Sequence, residues 1–246
     1  MLLGYGAAMP EDTPPRVLVV AAHPDDIDFG SGATVAFLVA TGWRVSYCLV
    51  TDGDAGGFDA NVARDRIPVI RRAEQTEAAR VLGVEDLHWL GYPDGRVAVD
   101  LSLRRDLSRV IRTVRPDRVI CQNPQRNWAS VYGSHPDHMA AGEATLCAVY
   151  PDARNPFAYP ELAAEGLAAH VVPEVWVVGG PDPDVVLDLT DYFDLKVEAL
   201  RAHVSQETDR DGRLVPMLRE WMGGTAAAGG LPEGRYAEAY RRIDTR

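Results

Sequence analysis

Short apolar runs alternate with amphipathic stretches along most of the chain. Residues 17–22 are apolar at every position, as expected for a strand buried on both faces of a parallel sheet. Residues 67–82 place apolar side chains at helical spacing, and Gly83 follows as a C-terminal cap. Further strands are predicted at 44–50, 87–90, 118–121, 174–178 and 185–189, and further helices at 33–41, 101–114, 139–150 and 191–203. This order predicts an α/β fold with a Rossmann-like, doubly wound, mainly parallel sheet and helices on both faces.

The pattern weakens in two places, and both bear on domain organisation. Residues 151–180 open with a stretch rich in proline, alanine and glutamate, which predicts an excursion that covers the site. From about residue 207 the chain is charged and then glycine-rich, which predicts a mobile C-terminal tail. The length of 246 residues fits one large domain better than two small ones, so we predict a single domain over residues 1–246.

Charge and cysteine content restrict the partners and the compartment. A net charge of −11 argues against nucleic acid and against an anionic membrane surface, because their phosphates would be repelled. The cysteines are odd in number and far apart, which is typical of free thiols in a reducing compartment. We expect neither a signal peptide nor a membrane span, because the first residues lack a basic region followed by an apolar run and no later apolar run is long enough. We therefore expect a cytoplasmic protein with a small-molecule substrate. The sequence leaves open whether the protein forms a homo-oligomer.

Polar side chains cluster directly after four of the predicted strands, at residues 23–28, 51–59, 91–95 and 122–138. In a parallel sheet the carboxyl ends of the strands share one edge, which is where such folds bind their ligands. The first cluster contains His23, Asp25, Asp26 and Asp28, and the last contains the sequence HPDH, residues 135–138. Carboxylates leaving a buried strand are costly unless a positive charge lies among them. We therefore predict a metal site.

Two histidines and one carboxylate form a frequent catalytic zinc site that leaves a position open for water. The two clusters offer more candidates than one metal needs, so the remaining side chains would supply a base and supporting hydrogen bonds. A dinucleotide site is a weaker interpretation, because residues 30–35 lack the final glycine of the fingerprint and carboxylates precede them. A serine hydrolase is disfavoured because no G-x-S-x-G occurs.

Three motifs together resemble a known family. AHPDD follows the first strand, TDG follows the second, and HPDH precedes a helix. The first two thirds of the chain resemble the zinc-dependent LmbE-like, or PIG-L, de-N-acetylases, which include the mycothiol-pathway GlcNAc-inositol deacetylase. The resemblance implies that His23, Asp26 and His138 bind Zn²⁺ and that Asp25 is the general base. It further implies that His135 stabilises the oxyanion or protonates the leaving amine.

The resemblance also suggests roles for five side chains around this centre. Asp137 would orient a histidine, and Asp28, where the family usually has glutamate, would support the metal site from behind. Either carboxylate could instead only cap its helix. Arg71, with Glu74, and Asp94 lie at positions where related enzymes contact the sugar. Their simpler interpretations are an exposed i,i+3 ion pair and an ordinary turn residue.

These observations predict a zinc-dependent hydrolase that removes an N-acyl group, most often acetyl, from an amino sugar or its conjugate. Two alternatives stay open from the sequence. One is an amidase acting on a mycothiol-type conjugate or a natural product. The other is a zinc-binding Rossmann-like protein without catalysis.

Overall fold

A seven-stranded sheet with helices on both faces forms the centre of the computed structural model, which describes residues 13–57, 59–129, 131–206 and 209–246. The strands are β1 (Arg16–Ala21), β2 (Arg44–Thr51), β3 (Asp86–Tyr92), β4 (Arg118–Gln122), β5 (Glu174–Val178), β6 (Val185–Asp188) and β7 (Ala237–Asp244). The helices are α1 (Asp26–Ala40), α2 (Ile67–Val81), α3 (Leu101–Val114), α4 (Pro136–Cys147), α5 (Pro160–Ala164), α6 (Phe193–Arg201) and α7 (Leu214–Ala228).

The strand order is β3-β2-β1-β4-β5-β7-β6. Strands β1 to β5 pair in parallel, and β7 runs antiparallel to both of its neighbours. This confirms the predicted α/β fold with a mainly parallel sheet. The chain first winds outward through β2 and β3 and then returns to the other side of β1, so the switch point lies between β1 and β4. Open sheets of this kind bind their ligands at that point.

Strand β1 is buried on both faces because its side chains alternate between two hydrophobic cores. Leu18 and Val20 pack with side chains of α3 and α4, whereas Val17 and Val19 pack with those of α1 and α2. A third cluster joins α1 to α6 and α7. The unbroken apolar run in the sequence therefore reflects a sheet that is covered on both sides.

The predicted mobile tail is wrong for the described residues beyond 208, which form α7 and β7. Leu214, Leu218, Met222 and Ala226 recur every four residues and are all buried, so α7 is an amphipathic helix. β7 enters the sheet between β5 and β6, and Tyr240 at its centre is fully buried. The sequence pattern was misleading because glycines inside α7 and charged residues in β7 obscure this periodicity.

Of the range 151–180, which is predicted to cover the site, residues 152–170 contact other parts of the fold, whereas Gly179 accepts a hydrogen bond from Asn123 at the carboxyl edge of the sheet. Asp152 forms an ion pair with Arg104 of α3 at 2.8 Å. The guanidinium of Arg112, also on α3, donates hydrogen bonds to backbone carbonyls of residues 152, 153, 155 and 158. Nε2 of His170 lies 2.8 Å from the carbonyl oxygen of Pro116, before β4 begins. The contacts of residues 152–170 lie along α3 and at the amino end of β4, whereas the polar clusters follow the carboxyl ends of the strands.

The start of α1 and the state of the cysteines were also predicted from the sequence. The first helix begins at Asp26 rather than at residue 33, so Asp26 and Asp28 lie in its first turn. Cys48, Cys121 and Cys147 are free thiols, as predicted. Among the described residues, we find no helix with both the length and the apolar character needed to span a membrane.

Candidate metal centre

The site lies at the switch point, where the ends of β1 and β4 are tied together. The Ala22 N–H donates to Oε1 of Gln122 at 2.9 Å, joining the residue after β1 to the last residue of β4. Helix α4 then packs tightly against the end of β4, because a Cβ on Gly142 would lie only 2.2 Å from the carbonyl oxygen of Gln122. This close approach brings the start of α4, with His135 as its N-cap, next to His23.

Three side chains converge at the centre of the site. Nδ1 of His23 lies 3.3 Å from Nε2 of His138 and 3.3 Å from Oδ2 of Asp26. Nε2 of His138 is 3.0 Å from Oδ1 of Asp26. Ligand atoms at about 2.0–2.1 Å from a tetrahedral zinc ion are roughly 3.3 Å from one another, so this spacing suits such an ion. The donor set of two imidazoles and one carboxylate is also the type that zinc prefers.

The charges around His23 favour a cation. Burial disfavours the protonated ring, but the hydrogen bonds and charges of Asp26 and Asp94 outweigh it and raise the pKa of His23 to about 11. Burial likewise opposes ionisation of Asp26, yet hydrogen bonds from His138 and His23 hold its pKa far below the usual range. The cluster therefore stabilises positive charge, which a divalent metal would supply.

The second nitrogen of His23 is held by carboxylates. Nε2 lies 3.1 Å from Oδ1 of Asp94 and 3.1 Å from Oδ2 of Asp137. Asp137 is buried and also accepts the N–H groups of Gly95 and Val97. A carboxylate behind a metal-binding imidazole fixes its tautomer and raises its basicity. The predicted orienting carboxylate, Asp137, thus contacts His23.

Asp94, predicted to contact the substrate, joins two of the polar clusters. Its Oδ2 accepts the N–H of Ala55, and its own N–H donates to Asp54. The loops after β2 and β3 therefore meet at the site, as the parallel sheet predicts. Because the Asp94 side chain is only 10 % exposed and faces His23, most of its surface is already in contact with protein.

His135 stands beside the two other histidines as a neutral ring. Its ring centroid lies 4.9 Å from that of His23 and 5.1 Å from that of His138, and one ligand atom from each of the three lies within 4.8 Å of the others. Burial and the positive charges of His23 and His138 lower the pKa of His135. The N–H of Asp137 donates to His135 Nδ1 at 3.2 Å, so the neutral ring carries its proton on Nε2. His135 can therefore donate a hydrogen bond.

Asp25 has a strained backbone and a perturbed carboxyl group. Its φ of +88° is uncommon for any residue other than glycine. Burial, followed by the charge of Asp26, raises the pKa of Asp25 to about 7, against the opposing charges of Arg71 and His203. A carboxylate with its pKa near neutrality can both accept and return a proton.

The structure places Arg71 behind Asp25 rather than in an open pocket. Its Nη2 donates to the carbonyl oxygen of Pro24 and, at 3.1 Å, to Oδ2 of Asp25. The residue is only 4 % exposed, and a Cβ on Gly53 would lie 2.4 Å from Nη1. The sugar contact expected for Arg71 stays a prediction, because in this structure its guanidinium group faces Pro24 and Asp25. Glu74 also does not pair with Arg71: it accepts both the N–H and the hydroxyl of Ser205, each at 2.7 Å.

Two side chains near Asp28 received no role from the sequence. Gln75 donates to Oδ2 of Asp28, and Nε2 of His203 lies 2.8 Å from the same oxygen. Burial, and to a smaller extent the charge of Arg71, lower the pKa of His203. The hydrogen bond to Asp28 and the negative charges of Asp28 and Asp25 outweigh both effects, so the pKa is raised. Residues 202–206, AHVSQ, resemble a stretch of the LmbE-like, or PIG-L, family, and this could have pointed to His203. Nothing in the local sequence distinguishes Gln75 from other helix residues.

Comparison with known proteins is consistent with this geometry. The model of the PIG-L family, described as GlcNAc-PI de-N-acetylase, matches residues 18–149. A diacetylchitobiose deacetylase of Thermococcus kodakarensis is 32 % identical over 231 residues, covering 93 % of this chain and 83 % of that protein. A probable N-acetyl-alpha-D-glucosaminyl L-malate deacetylase 2 of Bacillus cereus is 34 % identical, covering 78 % of this chain and 83 % of the relative.

The similarity extends to solved structures. The N,N'-diacetylchitobiose deacetylase from Pyrococcus horikoshii, solved with an inhibitor, superposes with a TM-score of 0.84 at 30 % identity. The alignment covers 93 % of this chain and 84 % of that one. The described fold is therefore shared almost from end to end with a deacetylase.

Proposed function

Since this chain belongs to the PIG-L family of GlcNAc-PI de-N-acetylases, we propose that it is a zinc-dependent deacetylase acting on an N-acetylglucosamine-type amino sugar. One observation carries the proposal: ligand atoms of His23, Asp26 and His138 converge at 3.0–3.3 Å beside the half-buried carboxyl group of Asp25. The acidic chain fits a small-molecule substrate in the cytoplasm better than a nucleic-acid partner.

In this proposal, His23, Asp26 and His138 hold the zinc ion. Bound zinc would lower the pKa of a water molecule and polarise the amide carbonyl group. Asp94 and Asp137 keep His23 in the tautomer that leaves Nδ1 free to bind the ion, because both accept from Nε2. The remaining side chains of the site then act on protons and on developing charge.

Asp25 accepts the proton of the attacking water. The Arg71 guanidinium holds Oδ2 of Asp25 at 3.1 Å, which leaves the other carboxylate oxygen for the proton. We assign Arg71 this orienting role in place of a sugar contact. His135 donates from Nε2 to the oxygen that gains negative charge as the amide carbon becomes tetrahedral.

Collapse of the tetrahedral carbon breaks the C–N bond and releases acetate and the amine. The proton that the nitrogen requires comes either from Asp25, which received one in the first step, or from His135. Asp94, on the loop after β3, remains the candidate for a contact with a sugar hydroxyl. Asp28 supports Asp25 through Gln75.

The test measures metal content and amine release from the same preparation. N-acetylglucosamine, diacetylchitobiose and N-acetylglucosaminyl conjugates of malate and inositol would be assayed with and without a chelator. About one zinc per chain and chelator-sensitive amine release are expected. Zinc without amine release from any member of the panel would contradict the proposed activity, and a protein that binds no zinc would contradict the site itself.

A further inference from the structure

A continuous chain of hydrogen bonds, buried except at its last link, ends at the backbone of Asp25. The N–H of Asp25 donates to Oε1 of Gln75 at 2.8 Å, and Nε2 of Gln75 donates to Oδ2 of Asp28 at 2.9 Å. Nε2 of His203 lies 2.8 Å from the same carboxylate oxygen. Gln75, Asp28 and His203 are all fully buried. The chain connects α1, α2 and the segment after α6.

The orientation of the Gln75 amide is determined by its two partners. Oε1 faces a backbone N–H, which can only donate, and Nε2 faces the Asp28 carboxylate. Rotating the amide by half a turn would place two donors together and two acceptors together. Because the group is buried, neither mismatch could be relieved by water, so this orientation is strongly preferred.

Gln75 also acts on a backbone that needs support. Asp25 has a φ of +88°, and such conformations persist only where the surroundings hold them. Arg71 lies one helical turn before Gln75 on the same face of α2 and holds the Asp25 side chain. Helix α2 therefore contacts Asp25 twice, through the carboxylate and through the backbone.

We infer that Gln75 is a positioning residue, which fixes the backbone of Asp25 and so aims the carboxylate that acts as the base. His203 and Asp28 hold the Gln75 amide in place. This inference rests on the proposed function, since it assigns Gln75 a role in that reaction. Small displacements of a reacting group lower the rate strongly, so the effect should appear in kcat.

The test replaces Gln75 with methionine, which has similar volume and makes neither hydrogen bond. We expect kcat to fall roughly 10- to 100-fold, with KM for the acetylated sugar within about twofold and zinc content unchanged. Gln75→Asn is a second variant, too short to reach both partners, for the case in which Gln75→Met does not fold. Thr76→Val, at the neighbouring exposed position of α2, is the control and should retain full activity.

A double-mutant cycle separates positioning from a general structural effect. In an Asp25→Ala background, Gln75→Met should cause no further loss of kcat, because the carboxylate that Gln75 aims is already absent. An equal fall in both backgrounds would overturn the inference, as would a Gln75→Met enzyme with wild-type kcat.

Hydrogen exchange provides a measurement that does not depend on turnover. The Asp25 amide should exchange faster in Gln75→Met than in the wild type, while amides of β1 are unchanged. Unchanged exchange at Asp25 would refute the hydrogen bond. If the wild type releases no amine from any substrate, the proposed function fails, and exchange still tests the role of Gln75 in holding the backbone.

Discussion

Asp25 combines a strained backbone with the proposed base, and two substitutions can separate these properties. Asp25→Ala and Asp25→Gly both remove the carboxylate, but only glycine adopts a φ of +88° without steric cost. A left-handed conformation costs a residue with a Cβ about 1–2 kcal/mol. Glycine loses about 0.5–1 kcal/mol more conformational entropy on folding than alanine does.

The difference between these terms predicts that Asp25→Gly is more stable than Asp25→Ala by about 0.5–1 kcal/mol. For a chain of this length, that corresponds to a melting temperature about 1–4 °C higher. Urea unfolding of the metal-free proteins would measure the difference in free energy. Gly42→Ala calibrates the cost of a positive φ elsewhere, because Gly42 also has a φ of +88° and a Cβ there would meet no atom within 4 Å.

Activity provides the second half of this test. Both variants should lose amine release by roughly 10²- to 10⁴-fold, the usual contribution of a general base, while zinc content is retained. An Asp25→Ala protein as stable as Asp25→Gly, with a destabilised Gly42→Ala control, would refute strain at this backbone. Near-normal turnover in either variant would remove Asp25 from the mechanism.

Three further predictions concern the metal, the packing of α4 and the effect of pH. His138→Ala should lose zinc and activity, whereas the control His170→Ala, near the amino end of β4, should keep both. Full zinc occupancy in His138→Ala would show that the ligand set is wrong. Gly142→Ala should lower the free energy of unfolding by about 1–3 kcal/mol, because its Cβ would lie 2.2 Å from a backbone oxygen. As a control, Gly223→Ala, where a Cβ meets no atom within 4 Å, should raise the free energy of unfolding by up to about 1 kcal/mol. Equal effects of the two substitutions in urea unfolding would contradict the close packing. The pKa of His203 is raised in the folded protein, so this side chain holds its proton more tightly there than in the unfolded chain. Its contribution to stability is therefore complete below about pH 6.5 and declines as the pH rises through the folded-state pKa. The stability lost in His203→Gln should therefore shrink between pH 6 and pH 9, and a loss that grows with pH would refute this.

Local sequence predicted the site because its main parts lie at the ends of strands. The apolar run of β1 identified a central strand, and parallel pairing implied that His23 and the HPDH motif would meet at one edge. The structure brings His23, Asp26 and His138 together there, and it adds Asp94 and Asp137 behind His23. Clusters that follow parallel strands can be placed together without knowledge of side-chain geometry.

Side chains on helix α2 were harder to assign. The resemblance predicted a sugar contact for Arg71, with an exposed ion pair to Glu74 as the simpler interpretation, but Arg71 turns inward to Asp25 and Glu74 binds Ser205. Gln75 carries no local feature that sets it apart. Which face of a helix points to a site depends on how that helix packs, and its sequence neighbours do not specify that packing.

The sequence by itself determined the strands and helices up to β6 apart from the short helix α5, the parallel sheet and the edge at which the polar clusters meet. These features follow from short-range periodicity and from the way parallel strands align. Only the tertiary structure decided that α7 and β7 complete the domain, that Arg71 lies behind Asp25, and that Gln75 connects Asp25 to Asp28. Hydrogen bonds of about 3 Å between elements far apart in the chain depend on helix orientation and rotamer, which long-range packing determines.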